Sequence, residues 1–298
     1  MMAASHGTRA WIASFALLAC AALCGCATTA QTASASVPGH CMRLVGLDEH
    51  GRSVIAETGA GAVRYHLQQH GPEPEIETLT EAECRLHQIC DAEGPKLEVF
   101  GLSPAERFQF ASTPAPGEAT VDVPGLGTRT LSFAPREDAS GETAWTLRID
   151  GEVPSVLHRA ASTLDPEHVR WYRAGAYLWL ELQTRSPEAA CAAWAVNLDE
   201  AGAGALHQAA LTALSAGRYD EAQALLERAL PLDPDDETIA YNLACTFARK
   251  GDDAQALRWL EQAFQLDRDG RLRAEAMKDP DLERLRSNDA FVQLLAGG

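Results

Sequence analysis

Residues 203–236 read AGALHQAALTALSAGRYDEAQALLERALPLDPDD, and residues 237–270 read ETIAYNLACTFARKGDDAQALRWLEQAFQLDRDG. Laid over each other at a period of 34, they superpose Ala210 on Ala244, Gly217 on Gly251 and Ala222 on Ala256. Leu226 falls on Leu260, Ala229 on Ala263, Leu232 on Leu266 and Asp233 on Asp267. A 34-residue period marks stacked helix-turn-helix units, none of which buries its apolar face alone. Small alanines let paired helices approach closely, the glycine ends the first helix, and the leucines fill the space between helices. Two helical hairpins are therefore expected here, within a helical C-terminal domain at 201–298.

Tyr241-Asn242-Leu243-Ala244, followed by Gly251, Ala256 and Ala263, resembles the tetratricopeptide repeat pattern. Pro234 sits where that family ends its second helix, and Arg268 replaces the equivalent proline in the second copy. Residues 271–298 form the closing part. There Asp279 can cap a helix whose first position is Pro280, and Phe291, Leu294 and Leu295 recur at helical spacing. This ending resembles the one that closes bacterial tetratricopeptide arrays, and it implies a cover for the apolar face of the last repeat. The resemblance places a partner-binding groove along the first helices, lined by His207, Leu211, Leu214, Ser215, Tyr241, Cys245, Ala248 and Arg249. Relatives that clamp an acidic chaperone tail use lysines and asparagines there. The mostly neutral and apolar side chains of this groove instead suit an apolar or mixed peptide, or a partner's helix.

In residues 40–200 the rhythm changes to short apolar stretches broken by Gly and Pro. Strands are expected at 42–47, 53–57, 63–68, 96–101, 107–111, 128–133, 145–149, 169–173, 176–183 and 191–198, with turns at Asp48-Glu49-His50-Gly51 and Arg173-Ala174-Gly175. Along 176–183, Leu178, Leu180 and Leu182 share one face, and Tyr177, Trp179 and Glu181 the other. Thr80-Glu81-Ala82-Glu83 has capping-box spacing and starts one helix. The fold class is α+β and multidomain: an antiparallel β-rich domain followed by an α-helical tetratricopeptide array.

Trp11 to Leu23 form an apolar run of 13 residues after a leader whose only charge is Arg9. That is the pattern of a secretory signal, too short for a permanent span. The run ends in Leu23-Cys24-Gly25-Cys26, which resembles the lipobox of bacterial lipoproteins. The resemblance implies cleavage after residue 25 and lipidation of Cys26, with Cys20 behind Leu17-Leu18-Ala19 as the second candidate. Residues 26–39 are small and polar and read as a tether between lipid and body. In that family Ala27, which is not the Asp of inner-membrane retention, points to the outer membrane.

Cys41, Cys84, Cys90 and Cys191 form an even set in a compartment that permits disulfides. If the capped helix runs through position 90, Cys84 and Cys90 stand about 9 Å apart along its axis and cannot bridge. Cross-links from that helix to Cys41 and Cys191 are then expected. Buried free thiols are the other reading, and the one given to Cys245 inside a repeat helix.

The chain has 298 residues and a net charge of −17. Without Arg9 the mature part stands at −18, of which −12 falls in residues 27–200 and −6 in residues 201–298. A field of that sign excludes nucleic acid as a partner and leaves the lipid as the membrane contact. Cys84, His87 and Cys90 lack a fourth metal ligand, and Leu67-Gln68-Gln69 between His66 and His70 lacks the glutamate of a zinc protease. No nucleophile elbow or phosphate loop is present. No cofactor, metal or catalytic residue is expected. The leading function is a non-enzymatic, lipid-anchored envelope adaptor that binds proteins through its repeats. The alternatives are a periplasmic or surface enzyme whose β-rich domain is catalytic while the repeats recruit substrate, which a pocket converging His66, His87 or His158 with carboxylates would favour, and a glycan-binding module displaying Trp171, Tyr172 and Trp179.

Overall fold

The computed structural model describes residues 41–296, apart from 60, 70–74, 93, 111–116, 138–142, 151–154, 161–165 and 185–191. The signal, the tether, Cys20, Cys26, His70 and Cys191 lie outside the described residues, as does the side chain of His158.

Among the described residues, antiparallel strands dominate the region up to Asn197, interrupted by short helical turns, and helices make up the rest. The first sheet contains β1 (Cys41–Leu47), β2 (Arg52–Gly59), β3 (Ala62–Gln69), β4 (Glu75–Thr80) and the two-residue β5 (Ser103–Pro104), in the order β4-β3-β2-β1-β5. The second sheet starts at its edge with β6 (Gln109–Phe110) and is completed by β11 (Pro166–Ala174), β12 (Tyr177–Thr184) and β13 (Ala192–Asn197), in the order β13-β12-β11-β6. The third comprises β7 (Glu118–Val123), β8 (Gly127–Glu137), β9 (Thr143–Ile149) and β10 (Ser155–Ala160), in the order β10-β9-β8-β7.

The alternation of β12 explains the stacking. Its leucines, 178, 180 and 182, pack with Trp171 and Trp194 against Val121, Leu131, Phe133, Leu147 and Ile149 of the third sheet. On the opposite face Trp179 packs with Tyr172, Ala174 and Ala193 against Met42, Leu44 and Ile55 of the first sheet. The second sheet is thus a middle layer with both faces buried. Full burial of one such leucine stabilises the fold by about 1.5–3 kcal/mol, and cutting Leu180 back to alanine would cost about 2–5 kcal/mol. Glu181 shares the Trp179 face and is buried. It accepts a hydrogen bond from the Leu44 amide at 2.9 Å and lies 3.4 Å from the Arg170 guanidinium. Burial raises its pKa while the Leu44 amide, Arg170 and Arg43 oppose that rise.

The two expected turns pack on each other. Gly175 at φ +56° leaves no room for a Cβ, which would stand 2.6 Å from the Glu49 carbonyl.

The capping box at Thr80 forms as expected, with the Glu83 amide donating to Thr80 Oγ1 and the Thr80 amide to Glu83 Oε2. Helix α1 (Glu81–Leu86) is only six residues long, however. Gln88 takes φ +60° and turns the chain back, so that the Ile89 and Cys90 amides donate to the Cys84 carbonyl. Cys84 and Cys90 then sit 5.2 Å apart at Cα and form a disulfide, against the expectation of a helix running through position 90. Cys41 is also disulfide-bonded, to a cysteine outside the described residues. Residues 97–100, expected as a strand, form a 3-10 helix, and residues 105–108 form another that precedes β6.

Asn197 ends β13 and caps α2 (Leu198–Ser215), accepting the Asp199 amide at 3.0 Å. The helices α3 (Tyr219–Ala229), α4 (Glu237–Lys250) and α5 (Asp253–Leu266) follow as the rest of two hairpins. Ala222, Ala229, Ala256 and Ala263 are all 0 % exposed, as close helix approach requires. Gly217 and Gly251 end the first helices at φ +74° and +89°. Then come α6 (Arg271–Ala276), a 3-10 helix (Pro280–Ser287) and α7 (Asp289–Leu295). The hairpins dock on the β7–β8 turn, where Leu126 packs against both the sheet core and the first-repeat core. Arg228 donates to the Gly125 carbonyl at 2.7 Å across the same junction.

Candidate functional site

The groove residues expected along α2 and α4 divide into a covered and an open part. Tyr241 and Cys245, on successive turns of α4, are 7 % and 1 % exposed because the 3-10 helix Pro280–Ser287 lies against them. Leu282 and Leu285 enter the same core as Tyr241, Cys245 and Ala248. The Tyr241 hydroxyl donates to Asp279 Oδ2 at 2.8 Å, and Cys245 Sγ lies 3.7 Å from that oxygen. These two side chains are therefore internal packing residues and not a lining for a partner. Burial and Asp279 push the Cys245 thiol well up, so it stays protonated and donates. Its sulfur lies within 4.8 Å of carboxylate oxygens of Asp279 and Asp281, but a protonated thiol already hydrogen-bonded to Asp279 is not a thiolate ligand.

His207 is also buried. Its Nε2 accepts from the side-chain Nδ2 of Asn242 at 2.7 Å. Burial lowers its pKa, against the pull of Asp236, so the ring is held neutral between the two repeats. Leu211 and Leu214 are half-buried, and Ser215 is exposed at the end of α2. Arg249 keeps its guanidinium at the surface. It donates to the Tyr219 hydroxyl at 2.8 Å, stands 5.5 Å above the Tyr219 ring and lies 3.7 Å from Asp281. Arg249, Tyr219, Asp281 and Arg284 border an open cleft of about 350 Å³. Burial first and Asp279 second raise the pKa of Asp281, while Arg249 lowers it. The accessible groove is thus the stretch from Leu211 through Ser215 and Tyr219 to Arg249 and Asp281. Helical spacing alone does not bring Tyr219 and Asp281 into this groove, because only the fold-back of the closing segment carries Asp281 to α4.

In the β layers, Glu57, His66 and Thr78 stand on adjacent strands. His66 Nε2 lies 2.9 Å from Glu57 Oε2, and Nδ1 lies 3.0 Å from Thr78 Oγ1. Glu57 is nearly buried and Thr78 exposed, so the chain runs from an interior carboxylate to a surface hydroxyl. His66 lines neither the Arg249 cleft nor a second cleft of about 350 Å³ bordered by Arg107 and Arg173. His87 is exposed at the end of α1, and the disulfide removes both flanking sulfurs from thiolate chemistry. Trp171, Tyr172 and Trp179 are 1 %, 3 % and 0 % exposed, so they form no surface row on which a sugar could stack.

Residues 202–269 match the family model described as tetratricopeptide repeat. No curated protein and no solved structure matches the chain. By class, the protein is an antiparallel β body continued by a tetratricopeptide region, and such a region implies protein partners.

Proposed function

We propose that the mature chain is a non-enzymatic adaptor of the bacterial cell envelope, lipid-anchored through Cys26 and facing the periplasm or surface from the outer membrane. The observation that carries the adaptor reading is the tetratricopeptide region itself, with a groove end open from Leu211 to Arg249. The packing of the first hairpin on the β7–β8 turn suits a scaffold that presents this groove from the β body. The address is supported by the apolar leader ending in Leu23-Cys24-Gly25-Cys26, and by a disulfide whose formation suits an oxidising compartment. The test is a photo-crosslinking residue at Ser215 in cells. A discrete partner band that disappears with Arg249→Glu supports the adaptor, and labelling indifferent to that substitution refutes it. Cys26→Ser should release the protein from the membrane fraction.

A second reading, an enzyme in the β layers, is favoured by the Thr78–His66–Glu57 chain, because a hydroxyl bonded to an imidazole oriented by a carboxylate is how nucleophiles are activated. Turnover of an activated ester that is lost in both Thr78→Val and His66→Gln would establish it.

A further inference from the structure

The margin between the second and third sheets holds two arginines that pair with no acid among the described residues. β6 closes the second sheet at its edge, pairing Phe110 with Trp171, and β7 is the edge of the third. Between these edges lies a cleft of about 350 Å³ bordered by Arg107, Phe108, Phe110, Thr120, Val121 and Arg173. Strand alternation sends Arg173 there. Trp171, two residues earlier on β11, faces the third sheet within the core, so Arg173 leaves the same face one pleat further along, at the margin. Arg107 comes from the 3-10 helix that leads into β6.

Among the described residues, neither arginine has a hydrogen-bond or ion-pair partner. Glu106, next to Arg107, is engaged by Arg43 at 3.4 Å, and Glu181 by Arg170 and the Leu44 amide; on β7, Asp122 accepts from Thr128 Oγ1, and Glu118, two residues before Thr120, pairs with neither arginine. In a chain of net charge −17, counter-charges are plentiful, and other arginines find them, as Arg52 does with Asp48 and Arg284 with Asp253. Two guanidiniums sharing one cleft repel each other. Their planar forks match carboxylate and phosphate oxygens. Phe108, Phe110 and Val121 supply an apolar wall beside them, and the volume falls at the small end of ligand pockets.

The geometry points to a binding site for a small organic anion: a carboxylate or phosphate held by Arg107 and Arg173, on a flat apolar body seated against Phe108, Phe110 and Val121. This site lies in the β body, apart from the repeat groove, and gives that body a ligand of its own. It is independent of the adaptor reading.

Saturation-transfer NMR on the full mature chain tests it with three probes: phenyl phosphate, benzoate and neutral phenol. Ring-proton transfer is expected for the two anions and much less for phenol, with inorganic phosphate competing. Whichever anion binds more tightly identifies the preferred headgroup. Arg107→Gln and Arg173→Gln should each weaken binding about tenfold, and Arg173→Lys should restore part of it. Absence of transfer from both anions, or phenol binding as well as they do, overturns the site without any variant. So does unchanged anion affinity in the folded double variant.

Discussion

The Tyr241 hydroxyl donates a hydrogen bond to the Asp279 carboxylate at 2.8 Å, joining the middle of the second repeat to the segment that closes the array. The other oxygen of Asp279 accepts the Asp281 amide at 2.8 Å and so caps the 3-10 helix that covers α4. One carboxylate thus starts the closing helix and fixes it in the groove. The closing segment takes the α4 half of the concave face and leaves open the end near Tyr219 and Arg249.

Asp279→Ala removes both the cap and the acceptor for Tyr241, and should destabilise the helical region by about 2–4 kcal/mol. Tyr241→Phe should cost about 1–2 kcal/mol, and the double variant less than the sum, because both act on one bond. Denaturant unfolding measures the costs. The rate of Cys245 modification by a thiol reagent gives a local check: it should rise in Asp279→Ala, since Leu282 and Leu285 shield that sulfur. An unchanged rate would mean that the closing helix is held by other contacts.

The junction between sheets and helices predicts opposite effects from two neighbouring glycines of α2. A Cβ on Gly202 would lie 2.1 Å from the Pro124 carbonyl oxygen, a backbone atom in the β7–β8 turn, whereas a Cβ on Gly204 meets nothing within 4 Å. Gly202→Ala should therefore cost about 2–3 kcal/mol through overpacking, and Gly204→Ala should stabilise by about 0.5–1 kcal/mol through helix propensity. Equal thermal shifts in the two variants would show that α2 does not dock on that turn.

The repeats were legible because period, alanine spacing and glycine stops each encode a helix hairpin locally. In the β region, legibility followed the leucine and aromatic content of each strand. Glu118-Ala119-Thr120-Val121-Asp122-Val123 alternates cleanly, with Ala119, Val121 and Val123 buried, but its small inward residues give only a weak strand signal. β4 carries two acids among six residues and gains its place by pairing with β3. The Cys84–Cys90 bridge was invisible because it depends on Gln88 adopting φ +60°, which a non-glycine residue rarely does. In the groove, the side chains on α2 and α4 were readable from helical spacing. What covers Tyr241 and Cys245 was not, since it depends on where a segment some 38 residues downstream folds back.

Peptide mapping without reductant should recover Cys84 joined to Cys90, and Cys41 joined to Cys191. The second assignment follows if the proposed signal and anchor hold, since these would remove Cys20 and Cys24 and occupy Cys26, while Cys245 is free. A bond from Cys41 to Cys26 would overturn both that pairing and the lipid anchor. Replacing Cys84 and Cys90 by serine opens a short loop and should cost about 2 kcal/mol. The loss should appear in the first sheet, whose Val54 and Tyr65 pack under the bridge.

Asp233 makes the repeat junction sensitive to pH. Burial, reinforced by Asp236, Glu200 and Asp235, pushes its carboxyl up from 3.8 to about 6. Between those values the folded chain binds more protons at this site than the unfolded chain, so its contribution to stability is present below about 4 and is lost as pH rises through 6. His207 acts in the opposite sense: its lowered pKa costs stability as pH falls below 6.5. Comparing Asp233→Asn with the unmodified protein at each pH isolates the carboxyl, because His207 is common to both. The variant should melt at a higher temperature at pH 7.5, where the natural side chain is charged, and the difference should shrink to nothing by pH 4. A melting difference that stays constant from pH 4 to 8 would show that Asp233 ionises normally in the folded chain.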